Sequence, residues 1–108
     1  YLDRVVANGA RLAELVEDAD DLELAVPPQC NIVCFRYRPE GMEQADLNTL
    51  NARIRQRLLE KGQYYLVQTY LGEALYLRVT LTNPFTEEQD LQGLLSEVRQ
   101  EAMVGQAN

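Results

Sequence analysis

The side chains able to do chemistry here are few, and the missing types narrow them quickly. The 108 residues contain no His, which excludes Ser-His-Asp and Cys-His nucleophilic catalysis and His-containing zinc sites. There is one Lys, Lys61, and one Ser, Ser96. The two Cys are Cys30 and Cys34. On one strand their Cα atoms stand roughly 13 Å apart at ~3.3 Å per residue. A disulfide needs under ~7 Å, so the two do not pair with each other. Free, buried thiols that fill core space suit a reducing cytoplasm. Asp18, Asp20 and Asp21 form an acidic cluster without the Gly and spacing of a calcium loop, which reads as a solvated turn. No metal site is expected. What remains is arginine. Arg36 and Arg38 flank Tyr37 and are placed to bond neighbouring carboxylates or loop carbonyls, whereas Arg78 sits in an apolar run. A guanidinium is a planar fork of donors suited to a carboxylate or phosphate.

Composition bounds the partners. With 17 acidic against 10 basic residues and a net charge of -7, phosphate-rich partners are repelled, so neither nucleic acid nor an anionic membrane is expected. No apolar run approaches the ~20 residues of a membrane span, and no signal-peptide pattern opens the sequence. The length suits one domain with one core.

The elements that must position these residues follow from periodicity. Residues 1–19 are predicted as a helix, with Leu2, Val5, Val6, Gly9, Leu12, Val16 and Ala19 on one stripe. Nothing caps its start, which leads to the expectation that the native helix continues upstream. Residues 22–26 alternate as a short strand that Pro27-Pro28 ends, and residues 30–37 form a second. The centre of that second strand, Ile32 to Phe35, is apolar on both faces, as in a strand covered on both sides. Asp46 is the expected N-cap of a second helix buried through Leu47, Leu50, Ile54 and Leu58, and Lys61-Gly62 closes it. Strands over 64–71 and 74–81 are joined by a two-residue Gly72-Glu73 hairpin. Thr86 to Gln89 reads as a capping box for a third helix, with Leu91, Leu94, Leu95, Val98 and Ala102 as its stripe and Glu87 and Glu88 in its first turn. Residues 105–108 read as a frayed tail to a domain spanning 1–104.

The order α-β-β-α-β-β-α implies an α+β fold: a four-stranded, mostly antiparallel sheet with three helices on one face. In the fourth strand Leu75, Leu77, Val79 and Leu81 face the helices, so Tyr76, Arg78, Thr80 and Thr82 face away. Strand three adds either Tyr65, Val67 and Thr69 or Tyr64, Leu66, Gln68 and Tyr70 to that outer face. A Tyr-rich face with one Arg reads either as a partly wetted surface or as a docking face with Arg78 at the joint.

Three stretches in order and spacing resemble one family. They are Asn31-Ile-Val-Cys-Phe-Arg-Tyr-Arg-Pro39, then Leu47-Asn48-x-Leu50-Asn51, then Tyr76-Leu-Arg-Val-Thr-Leu-Thr-Asn-Pro84 with Thr86-x-x-x-Asp90-Leu91. The chain resembles the C-terminal small domain of the group II pyridoxal-phosphate-dependent amino acid decarboxylases, which are fold-type I enzymes acting on glutamate, 2,4-diaminobutyrate, cysteine sulfinate or aromatic amino acids. Thr82-Asn83-Pro84 leans toward the non-aromatic branches.

The resemblance implies a cytoplasmic homodimer that releases carbon dioxide from an L-amino acid. It also implies that pyridoxal 5'-phosphate is held by a large domain absent from this sequence, so that the chain alone is inactive and carries no catalytic or cofactor-binding residue. Lys61 has no His before it and does not match the family's cofactor lysine. By the same resemblance Arg78 matches the arginine of the last strand, which is associated with the substrate carboxylate. Loss of carbon dioxide needs that carboxylate held in one orientation, which a two-pronged Arg supplies. A salt bridge at the domain joint is the structural alternative for Arg78. A free-standing regulatory or interaction module of ferredoxin-like type, binding an amino acid or self-associating through its sheet, is the alternative for the chain.

Overall fold

In the computed structural model, residues 2–28, 31–62, 66–83 and 85–106 are described. Their elements run α1 (Leu2–Asp18), β1 (Leu22–Leu24), β2 (Ile32–Tyr37), α2 (Gln44–Lys61), β3 (Leu66–Leu71), β4 (Ala74–Thr80) and α3 (Glu88–Gln106). The strands form one antiparallel sheet in the order β1-β2-β4-β3. This is the expected α+β arrangement.

One apolar cluster joins all three helices to one face of the sheet. Leu12 and Val16 of α1, Val33 and Phe35 of β2, Ile54 and Leu58 of α2, Leu77 and Val79 of β4 and Leu91 to Ala102 of α3 meet there. The α2 and α3 stripes are those the spacing predicts. In α1 the stripe is rotated: Val6 is exposed and Ala13 is buried instead. Val5, Gly9, Leu12 and Val16 set the buried line, and Val6 lies about 100° around the helix from Val5 at 3.6 residues per turn.

Helix ends depart from expectation in informative ways. The N-cap of α2 is Glu43, not Asp46, which lies in the first turn. There its carboxylate faces the positive end of the helix dipole. Gly62 closes α2 at φ 73°, its N–H reaching Leu58 and Leu59 O at 3.2 Å. At α3 the box is shifted by one residue: the Glu87 N–H donates to Asp90 Oδ2 at 2.8 Å, so Asp90 rather than Gln89 reaches back. β1 ends two residues before Val26, because the turn into Pro27 takes the chain off the ladder. β4 stops at Thr80, though Leu81 N–H still donates to Asn31 O at 2.9 Å. The expected strand starts at Cys30 and Tyr64, along with Tyr65, lie outside the described residues, as do Tyr1, Pro84 and residues 107 and 108.

Two Asn side chains of α2 repair a gap in the sheet. β2 and β4 pair from Ile32↔Thr80 to Phe35↔Leu77; continuing that register would pair Tyr37 with Leu75. Instead Asn51, fully buried, accepts the Tyr37 N–H at 2.9 Å and donates to Tyr37 O at 3.0 Å and Leu47 O at 2.8 Å. Asn48 accepts the Leu75 N–H at 2.9 Å and donates to Glu73 O at 2.8 Å. The motif Leu47-Asn48-x-Leu50-Asn51 is therefore a ladder substitute, two Leu facing the core and two Asn bonding strand ends where the strands splay.

Ion pairs tie the helices together. Glu101, 3% exposed, receives Arg57 Nε at 2.6 Å and Lys61 Nζ at 2.5 Å, and Lys61 also meets Glu97 at 2.8 Å. Arg11 holds Glu88 through two 2.8 Å bonds. Asp21, read from sequence as part of a solvated turn, instead takes both prongs of Arg99, at 2.7 and 3.1 Å. Among the described residues no helix is long and apolar enough to cross a membrane.

Candidate functional site: the outer face of the sheet

Strand alternation decides which side chains share the face away from the helices. Leu75, Leu77 and Val79 are buried toward the helices, which sends Tyr76, Arg78 and Thr80 outward as expected. Register then fixes the neighbours. Cys34 and Val67 lie opposite Arg78, Ile32 lies opposite Thr80, and Thr69 opposite Tyr76. Of the two sets open for strand three, the outer one is therefore Val67 and Thr69. Tyr70 and Gln68 fall on the helix side, and Tyr37 packs at the margin of the core. The face is consequently not Tyr-rich among the described residues. Tyr76 is its one Tyr there, and its centre is aliphatic with one thiol.

The two ends of this face differ. At the β1 end Arg36 is 6% exposed, donating from Nε to Glu23 Oε1 at 2.6 Å and from a terminal nitrogen to Gln44 Oε1 at 2.8 Å. Its guanidinium lies 4.9 Å from the Tyr76 ring centroid, a cation–π distance, and Tyr76 is itself only 8% exposed. Arg38, exposed, stands 3.9 Å from the other Glu23 oxygen. The carboxylate partner expected for Arg36 and Arg38 is thus Glu23. Its identity was readable: Leu22 and Leu24 face inward, so Glu23 must face out beside Arg36.

At the other end the face is open. Arg78 is exposed, and among the described residues no carboxylate lies within 4.0 Å of it. It borders a groove of about 350 Å³ walled by Val26, Pro27, Ile32, Cys34 and, across the strands, Thr69 and Leu71. Val26 and Leu71 are 45% and 42% exposed. Cys34 is a free thiol, half-buried on this outer face rather than in the core. Burial pushes its pKa up, and the Arg78 charge offsets part of that rise. It is therefore held as a neutral thiol and not activated as a nucleophile. The second-strand centre expected to be covered on both sides is covered on one: Val33 and Phe35 are fully buried, Ile32 and Cys34 half-buried. An exposed guanidinium at the edge of an apolar groove can hold a carboxylate in two-pronged geometry.

Lys61 sits in the last turn of α2, ion-paired toward α3 and remote in sequence and element from the groove. Ser96 lies exposed on α3. Neither joins Arg78.

No family model matches the chain. It is 29% identical over 101 residues to an L-2,4-diaminobutyrate decarboxylase of Acinetobacter baumannii, covering 94% of this chain and 20% of that protein. An aromatic-L-amino-acid decarboxylase of Bacillus atrophaeus is also 29% identical, over 89% of this chain and 21% of its own. The crystal structure of the glutamate decarboxylase domain of diaminobutyrate-pyruvate transaminase and L-2,4-diaminobutyrate decarboxylase from Vibrio parahaemolyticus superposes with a TM-score of 0.85 at 27% identity, covering 94% of this chain and 21% of that one. The chain spans about a fifth of the length of the curated relatives it matches. These relatives and structural neighbours are group II pyridoxal-phosphate-dependent amino acid decarboxylases, and the chain matches a C-terminal fragment of them.

Proposed function

We propose that this chain is the C-terminal small domain of a pyridoxal-phosphate-dependent L-amino acid decarboxylase, and that Arg78 orients the substrate's α-carboxylate in the intact enzyme. The relatives' names and the shared fold support the enzyme class. The residues of this chain do not fit the cofactor itself. It has no His to stack on the ring, and its single Lys is committed to Glu97 and Glu101. In this reading the cofactor belongs to the large domain of the same polypeptide, the isolated chain is inactive, and the enzyme is a cytoplasmic homodimer.

The observation that carries the Arg78 role is its placement: a charged fork on the open half of the sheet, beside an apolar groove, with no described carboxylate in reach. Arg36, Arg57 and Arg99 are each ion-paired and Arg55 donates to Leu66 O, whereas Arg78 has no carboxylate among the described residues within 4.0 Å. Arg78's contribution is binding and orientation: two N–H donors on the two carboxylate oxygens fix the plane of the group that leaves. In the full-length protein Arg78→Ala lowers turnover by more than about tenfold, the range expected when a charge-assisted pair to the reacting group is removed. Cofactor absorbance stays intact. Near-normal turnover would assign Arg78 to a salt bridge at the domain joint instead.

A further inference from the structure

We propose that Glu23 determines anion selectivity on this face by silencing Arg36, so that Arg78 alone is offered to a carboxylate. This inference rests on the reading of Arg78 as the carboxylate-binding group. Arg36 follows Cys34 by two residues on β2 and therefore shares its face; Cys34 is the register partner of Arg78. Arg36 and Arg78 are thus diagonal neighbours on adjacent strands, roughly 7–8 Å apart at the backbone, within reach of long side chains. Left unpaired, Arg36 would offer a second anion site beside Arg78 on the same face, able to take the far carboxylate of a dicarboxylate. It would also compete for the single carboxylate that must sit on Arg78.

Glu23 removes that competition. Its Oε1 accepts Arg36 Nε at 2.6 Å, and its Oε2 faces Arg38 at 3.9 Å, so one carboxylate faces both remaining cations of β2. Arg36 does not depend on Glu23 for its place. The Tyr76 ring lies under its guanidinium at 4.9 Å, and Gln44 Oε1 accepts a second N–H at 2.8 Å. Removing Glu23 therefore leaves the cation on the face and uncovers it.

The test uses the full-length enzyme with its cofactor and reads direct binding by calorimetry, with succinate as the dicarboxylate probe and propionate as the monocarboxylate. Glu23→Ala tightens succinate by about fivefold relative to propionate, a gain of the size one partly exposed ion pair supplies. Adding Arg36→Met to Glu23→Ala abolishes the gain. Arg36→Met alone gives succinate no gain over propionate, because it uncovers no second cation and frees the Glu23 carboxylate, which weakens both probes. Arg78→Ala weakens both probes. An unchanged succinate-to-propionate ratio in Glu23→Ala, with Arg78→Ala weakening both, would overturn the role of Glu23 and leave that of Arg78 standing. A gain for succinate over propionate in Arg36→Met alone would overturn it too. Unchanged binding of both probes in Arg78→Ala would remove the underlying site.

Discussion

Replacing Asn51 by Leu isolates the cost of the ladder substitute. The two side chains share a branched skeleton of four heavy atoms and Leu is the bulkier, so the change leaves no cavity, removes polar reach and adds whatever strain the larger side chain brings. Asn51 is fully buried and serves both backbone groups of Tyr37, accepting the N–H at 2.9 Å and donating to the carbonyl at 3.0 Å. Its third bond, to Leu47 O at 2.8 Å, lies within the helix, where that carbonyl already serves as an i→i+4 acceptor. Two strand groups are therefore orphaned, and each buried orphan costs about 1–3 kcal/mol. Asn51→Leu is expected to destabilise by about 2–6 kcal/mol, a large part of the ~5–15 kcal/mol available to a domain. In urea the midpoint falls by at least about 1 M at unchanged slope. Asn48→Ala at the more exposed neighbouring site costs about 1 kcal/mol. A loss below about 1 kcal/mol for Asn51→Leu would mean that β2 and β4 zip up without α2, and the ladder-substitute reading would fail.

Three further expectations concern the helix ends and ion pairs. Gly62→Ala destabilises by about 1 kcal/mol, because φ 73° is strained for any residue with a Cβ while no neighbouring atom lies within 4 Å to add a clash; denaturant midpoints of the two proteins check this. Lys61 and Arg57 hold the Glu101 carboxyl below its ordinary range, so its contribution is fully present above about pH 4.5 and is lost as pH falls through the lowered value; Glu101→Gln flattens the acid limb of a stability-against-pH curve. Arg11 holds Glu88 at about 2, so that carboxylate stays ionised through the same window, and its NMR titration lies below that of Glu101's unfolded-state range.

Much of the fold is legible because burial repeats at the period of each element. The α2 and α3 stripes, the β4 alternation and the Gly72 hairpin need only local rules. The α1 stripe is read wrongly at Val6 because Val5 and Val6 are equally apolar and only the position of the sheet decides between them. The outer set of β3 is decidable in the sequence, because a two-residue Gly72-Glu73 hairpin pairs Leu71 with Ala74 and so places Val67 opposite Arg78 on the face away from the helices. Asn51 stands in the motif quoted from the sequence, but its role depends on a long-range contact. A polar residue in an apolar stripe looks like an interruption until the Tyr37 backbone is known to lie beneath it. Arg78 is legible as a candidate since one cation in Leu77-Arg78-Val79 must face away from the core. Its separation from Arg36, though, depends on Glu23, contributed by an edge strand of three residues.

The place where the ladder ends also explains why the free cation stands where it does. Beyond Phe35↔Leu77 the strands no longer bond each other, and the resulting gap leaves backbone groups that need other partners. On the helix side Asn48 and Asn51 close it with amides. On the outer side the guanidinium of Arg36 covers the Tyr76 ring, with Glu23 and Gln44 satisfying its donors. That end of the face is chemically complete. Where the ladder is intact, from Ile32↔Thr80 to Cys34↔Arg78, the backbone needs nothing from the outer side. Side chains there are free to answer to something other than the sheet. A half-buried thiol, two aliphatics and a cation are a poor solvated surface and a good wall for a carboxylate-bearing ligand. The role proposed for Arg78 is thus compatible with the regular pairing beneath it, whereas Arg36 is already occupied by Glu23 and Gln44.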